Sequence, residues 1–145
     1  RTAYELVTGA TLFSLDFEEV RGLEGVKEAS VNLAGTELKV AVAHGLGNAR
    51  KLLDAVVNGE KECHFIEIMC CPGGCIGGGG QPAPVHNDTL ARRIAAIYQV
   101  DRQMPLRKSH ENPAVQALYR EFLGEPLSHK SHELLHTHYT PRERF

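Results

Sequence analysis

The segment from Glu67 to Pro82 constrains this chain more than any other. It reads Glu-Ile-Met-Cys-Cys-Pro-Gly-Gly-Cys-Ile-Gly-Gly-Gly-Gly-Gln-Pro and holds six glycines within ten residues. All four cysteines, Cys63, Cys70, Cys71 and Cys75, fall within 13 residues. Such a cluster is a disulfide knot, a metal site or a redox site. Adjacent Cys70 and Cys71 cannot staple distant loops, and a chain that is 42% apolar needs no staples. Thiolate ligation in a reducing compartment is the better reading. The glycines permit positive φ and close backbone approach to a bulky ligand. Their successive N–H groups form an anion-binding nest. A thiolate-ligated iron–sulfur cluster is anionic, and N–H donors to its sulfurs tune its potential. Cys71 and Cys75, separated by Pro-Gly-Gly, can point at one inorganic core. The Lys and Ser/Thr of a Walker loop are missing. Zinc usually takes two spaced Cys pairs, and no second pair exists. A cubane takes about four thiolates, so the site is incomplete within this chain.

The remaining residues place that loop. The 145 residues carry 16 Lys+Arg and 18 Asp+Glu, a net charge of −2. No basic block argues for nucleic acid, no apolar run approaches the ~20 residues of a membrane span, and no leader resembles a signal peptide. The length suits a domain with a sizeable core. The first residue is Arg, and residues 2–8 read as a helix stopped by Gly9. A missing preceding portion is therefore expected. Alternation over 26–33 and 37–42, around Ala34-Gly35-Thr36, predicts a hairpin. Val40 to Ala43 reads as a strand buried on both faces. A helix over 49–57 and a strand over 64–69 complete a βαβ unit, normally a right-handed parallel crossover. The cysteines follow its second strand, where ligands bind in α/β sheets. After Pro82-Ala83-Pro84 the character becomes helical. Asp88 is expected to cap a helix over 89–99. Asn112-Pro113 opens another, with Val115, Leu118, Tyr119, Phe122 and Leu123 as its buried stripe, and a short helix covers 131–138. The expected fold class is α/β followed by a helical C-terminal belt that packs on something larger, with parts at 1–84 and 85–145.

The segment Glu67–Pro82 resembles the third signature motif of the iron-only hydrogenases, Glu-x-Met-x-Cys-x-x-Gly-Cys-x-x-Gly-Gly-Gly-Gln-Pro, at every defining position. Residues 21–29, 107–112 and 126–138 are also similar to segments of that family, the last two to its small-subunit-like tail. The resemblance covers essentially the whole chain and implies a partial hydrogenase catalytic-domain lobe. It implies an H-cluster: a 4Fe–4S cubane joined through one thiolate to a diiron subsite with CO and cyanide ligands. By motif position Cys71 ligates the cubane, Cys75 ligates it and bridges to the diiron subsite, and Met69 packs beside that subsite. Gly73, Gly74, Gly78, Gly79, Gly80 and Gln81 are the expected cofactor-binding positions. The implied reaction is reversible reduction of protons to H2, with electrons from ferredoxin or a partner subunit, in the cytoplasm or periplasm. The family's two earlier motifs are absent, so the isolated chain is expected to be inactive. Its implied partners are the rest of the catalytic domain, electron-transfer subunits and maturation proteins. Cys70 stands where the family often has Ala and reads better as an inert small residue than as an S–H donor that tunes the cluster.

A related reading is a non-catalytic, hydrogenase-like iron–sulfur assembly protein without a diiron subsite. Met69, the complete Gly-Gly-Gly-Gln-Pro end and the tail favour the hydrogenase. Five of the eight histidines follow residue 109. His132-Glu133-Leu134-Leu135-His136 matches the zincin pattern His-Glu-x-x-His, which on a helix puts both histidines on one face. A zincin needs a third, downstream ligand, and nine residues follow His136. A short pattern in a His-rich tail reads better as an interface helix, with His138 available to an adventitious metal.

Overall fold

The computed structural model describes residues 1–17, 20–83 and 85–143. Two compact units are present. The first comprises Arg1 and Ala3–Met104, and the second runs from Pro105 onward and takes in Thr2.

The first unit opens with α1 (Thr2–Thr8), which ends on Gly9 at φ +68°, where the Gly9 N–H reaches Glu5 O at 2.9 Å. Glycine reaches this left-handed cap without the Cβ clash that other residues suffer. Strands β1 (Val26–Leu33) and β2 (Thr36–His44) form the expected antiparallel hairpin. Its turn is two residues, because Thr36 pairs with Leu33. Ala34 (φ +53°) and Gly35 (φ +91°) are both left-handed, the signature of a type I′ turn. The Gly35 N–H donates to Asn32 Oδ1 at 3.0 Å.

Helix α2 (Leu46–Val57) crosses over to β3 (Phe65–Met69), which pairs parallel to β2 from Val40↔Phe65 to His44↔Met69. The sheet order β1-β2-β3 puts β2 in the centre, which explains why Ala41, Val42, Ala43 and His44 are all buried. Helix α2 begins three residues before the predicted Ala49, because Gly45 at φ +79° turns the chain into it and serves as its N-cap. Ala41, Ala43, Ala49 and Leu52 form the core, with Val26, Cys63 and Ile66 packed against them. That core is smaller than the length alone suggests. Phe65 and Ile97, for example, remain more than half exposed, at 62% and 54%.

Helix α3 (Asn87–Gln103) is longer than predicted at both ends. Its N-cap is His86, and Asp88 lies in the first turn instead of capping, where its charge still opposes the helix dipole favourably. Pro105 disfavours helical geometry at Met104, and Met104 is extended at φ −68°, ψ 134°. Arg1 grips Asp101 of α3 bidentately at 2.7 and 2.9 Å. The Arg21 guanidinium stacks 4.4 Å from the Tyr98 ring centroid.

In the second unit, Asn112 caps α4 (Pro113–Leu118) by accepting from the Ala114 N–H at 2.9 Å. The chain continues as a single π-helical turn, Tyr119–Leu123, ended by Gly124. Only Leu123 of the expected stripe is buried, and Leu118 and Phe122 stay 48% and 53% exposed. The Lys130 ammonium covers the Phe122 ring at 3.6 Å. Helix α5 (His129–Leu135), capped by Ser128, stops before the predicted His138 because His136 is extended at φ −113°, ψ 141°. Among the described residues, no helix is long and apolar enough to cross a membrane.

The turn geometry carries a direct test. Ala34 pays a left-handed penalty of roughly 1 kcal/mol that Asn largely escapes. Ala34→Asn is expected to stabilise the protein by about 0.5 kcal/mol, seen as a raised denaturation midpoint. A lowered midpoint would contradict the primed turn.

Candidate metal centre

The cysteine loop hangs from the carboxyl end of the sheet. Met69, the last residue of β3, pairs with His44, and its carbonyl accepts from the Gly45 N–H at 2.9 Å. The next residues form a tight turn in which the Gly74 N–H donates to Cys71 O at 2.9 Å. Gly73, third in that turn, sits at φ +79°, ψ 0°, the geometry that position needs in a type II turn with proline second. Pro72 and Gly73 thus fold the chain back between the two cysteines. Cys75 follows inside a 3-10 turn, Gly74–Gly77. A second turn runs from Gly78 O to the Gln81 N–H at 3.3 Å, with Gly80 at φ +84°.

Glycine is required by positive φ at Gly74 and by lack of space at Gly77. A Cβ on Gly74 would lie 2.8 Å from Met69 Sδ, so the thioether packs flat on the loop backbone. A Cβ on Gly77 would lie 2.5 Å from the Pro72 carbonyl oxygen. Gly77 is a requirement that the motif, which leaves its position open, does not announce. Gly78 backs the Cys71 sulfur, its missing Cβ falling 3.4 Å from Sγ. Gly79 faces open space.

Met69, Gly73, Gly74 and Cys75 line one cavity of about 230 Å³, together with Lys27 and Glu67. Val42, Ile76, Ile94, Ile97 and Tyr98 supply most of its remaining wall. Cys71, Gly78, Gly79, Gly80 and Gln81 are not among its lining residues. Lys27 is only 8% exposed and donates from Nζ to Gly22 O at 3.0 Å. Burial pulls its ammonium below the usual lysine range, an effect that nearby Glu67 and Glu24 oppose. All four cysteines are free: Cys70 and Cys75 are exposed, whereas Cys63 and Cys71 are half-buried.

Two side chains that sequence patterns do not single out hold the loop in place. The Gly73 N–H donates to His44 Nδ1 at 2.8 Å. Nδ1 therefore bears no proton, and Nε2–H donates to Leu23 O at 3.1 Å. The imidazole is 7% exposed and ties the loop between the cysteines to the segment before β1. Arg93 of α3 donates to Ile76 O at 2.7 Å and to Pro82 O at 2.9 Å. Its fork clips the loop on both sides of the glycine run. The one sequence signal was a histidine ending the most apolar strand.

The donor set suits a soft metal centre. Two free thiols flank a tight turn, one opening on a largely apolar cavity. Thiolates select iron–sulfur clusters, zinc or copper over hard cations.

His44→Ala leaves a half-buried donor, the Gly73 N–H, and a half-buried acceptor, Leu23 O, unpaired. It is expected to cost about 2 kcal/mol or more of stability and to speed amide exchange in residues 71–77. Wild-type exchange in that loop would contradict the assigned tie.

Comparison with known proteins agrees with this geometry. Residues 1–79 match the family model for the iron-only hydrogenase large subunit, C-terminal domain, and residues 87–142 that for the iron hydrogenase small subunit. The NADP-reducing hydrogenase subunit HndD of Solidesulfovibrio fructosivorans is 58% identical over 99% of this chain and 25% of its own length. A probable cytosolic Fe-S cluster assembly factor of Drosophila persimilis is 33% identical over 98% of this chain and 30% of its own. The structure of an apo FeFe-hydrogenase HydA1 variant from Chlamydomonas reinhardtii superposes with a TM-score of 0.74 at 43% identity, covering 94% of this chain and 41% of that one. The chain spans about a quarter to a third of the curated relatives named here. Because the large-subunit match takes in more than half of the chain and ends inside the cysteine loop, the chain belongs to the iron-only hydrogenase family.

Proposed function

We propose that this chain is the part of an iron-only hydrogenase catalytic domain that holds one side of an H-cluster. The observation that carries the reading is the placement of Cys71 and Cys75 on a glycine-built turn at the end of a parallel strand, with Cys75 and Met69 opening on one cavity. Cys71 would hold the cubane, Cys75 would hold it and join it to the diiron subsite, and Met69 would pack its thioether beside that subsite. Gly73, Gly74, Gly78, Gly79, Gly80 and Gln81 would form the loop around the group, with the N–H groups of Gly73, Gly74, Gly78 and Gln81 holding its shape and Gly79 and Gly80 leaving open space. When bound, the cluster with its CO and cyanide ligands supplies reversible reduction of protons to H2, with electrons from ferredoxin or a partner subunit.

The chain's own residues shape the site. His44 and Arg93 hold the loop backbone at three separate points, Gly73, Ile76 and Pro82, so the thiols are positioned before any group arrives. Ile94, Ile97 and Val42 limit water in the cavity. Lys27 and Glu67 give its wall two groups able to carry a proton. Residues 1–84 would serve as the cluster-binding part and 85–145 as the small-subunit-like tail.

The loop brings two thiolates, and a cubane takes about four. The others must come from the rest of the catalytic domain, and maturation proteins must deliver the diiron unit. Exposed apolar residues on β3, Phe65 and Ile68, suit burial against such a partner. The isolated chain is accordingly expected to evolve no H2 and to retain little iron, whereas the complete, matured protein does both. Robust H2 evolution by the isolated chain would overturn this division of ligands.

The relationship to an Fe-S cluster assembly factor makes a non-catalytic iron–sulfur protein the competing reading. Infrared spectroscopy of the complete, matured protein separates the two. Carbonyl and cyanide stretches are expected. Iron and sulfide in cubane proportion without those bands would favour the assembly protein.

A further inference from the structure

The tail carries a second cluster of metal-ligating side chains that the hydrogenase chemistry does not use. His129, His132, Glu133, His136 and His138 line one concave surface of about 360 Å³. His132 lies in the last turn of α5, and His136 caps it. The His136 N–H still donates to His132 O at 3.1 Å, so the two backbones stay one helical turn apart. Their Nδ1 atoms approach to 2.7 Å, with the rings 4.4 Å apart and at 81°. Two imidazole nitrogens at that distance share one proton; otherwise their lone pairs repel.

We propose that His132 and His136, with His138 as third donor, form a site for a late first-row divalent ion, foremost zinc, that staples the extended tail to α5. Replacing the shared proton by an ion roughly 2.0–2.1 Å from each nitrogen requires the nitrogens to separate to about 3.3 Å at a tetrahedral angle. That is an opening of about 0.6 Å, within reach of side-chain rotation because both histidines are exposed. Neutral imidazole is a good ligand for zinc, nickel and copper and a poor one for magnesium or calcium. His138 lies two residues beyond His136 in chain without regular structure, free to approach the same ion. Water completes the coordination. Glu133 Oε2 lies 3.9 Å from His129 Nδ1, and the proposed site assigns it no hydrolytic role. Binding would join a helix to residues 137–143, which lie outside any helix or strand among the described residues.

The proposal is independent of the iron–sulfur reading, and its test separates them. Zinc chloride is titrated into the complete protein and into His132→Ala, His136→Ala and His138→Ala variants. Calorimetry and the imidazole proton resonances are followed together. The loop thiols are common to all four proteins, so any difference reports the tail. The wild type is expected to bind one more equivalent than His132→Ala, with the His132, His136 and His138 resonances shifting. His132→Ala and His136→Ala should each weaken that equivalent by roughly 100-fold or more, beyond the 10- to 100-fold typical of losing an outer-shell partner, and zinc should slow proteolysis after His136 in the wild type alone. His132→Asn, checked by circular dichroism, guards against a folding defect in the alanine variant. Identical isotherms in wild type and His132→Ala, unmoved imidazole resonances, or binding without protection of the tail would each overturn the proposal.

Discussion

The hydrogen bond from the Gly73 N–H to His44 Nδ1 is the contact on which the site depends. It joins the end of the central strand to the middle of the cysteine turn, and Nε2 of the same ring reaches Leu23 O. One buried neutral imidazole therefore fixes three segments that are distant in sequence. Parallel pairing of β2 with β3 brings Met69 beside His44, and the Gly45 N–H closes onto Met69 O. The type II turn then places Cys71 and Cys75 at either end of Pro-Gly-Gly. Sheet, crossover and turn serve one result: a glycine-built turn that sets Cys75 and Met69 on the wall of one cavity.

Much of this architecture is legible in the sequence because it follows from local rules. Gly9, Ala34-Gly35 and Asn112-Pro113 announce their elements through backbone preference alone. The alternation of 26–33 and the apolar run at 40–43 disclose an edge strand and a central one. The placement of the cysteines after a parallel strand follows from element order. Boundaries are less legible, since they depend on competition between neighbours. Helix α3 runs on to Gln103 until Pro105 intervenes, and α5 stops early at an extended His136.

The contacts that hold the loop are hidden for a different reason. His44 and Arg93 act across 29 and 17 residues of sequence, and no periodicity or short motif encodes such a partner. Gly77 is hidden because its need arises from the Pro72 carbonyl oxygen, a neighbour visible only once the turn is built. The stripe at Val115–Leu123 misleads because helical spacing assumes a covering partner, whereas Leu118 and Phe122 face outward. A core of small residues with large apolar side chains left outside is what a lobe of a bigger domain would present.

The central claim is that Cys75 is the thiolate joining the two halves of the metal centre. It is tested most directly by infrared spectroscopy of the complete, matured protein carrying Cys75→Ser, beside the control Cys70→Ala. A serine oxygen is a harder, less polarizable ligand than a thiolate. The account predicts that Cys75→Ser loses the carbonyl and cyanide bands and that Cys70→Ala keeps them. Bands retained in Cys75→Ser and lost in Cys70→Ala would contradict it.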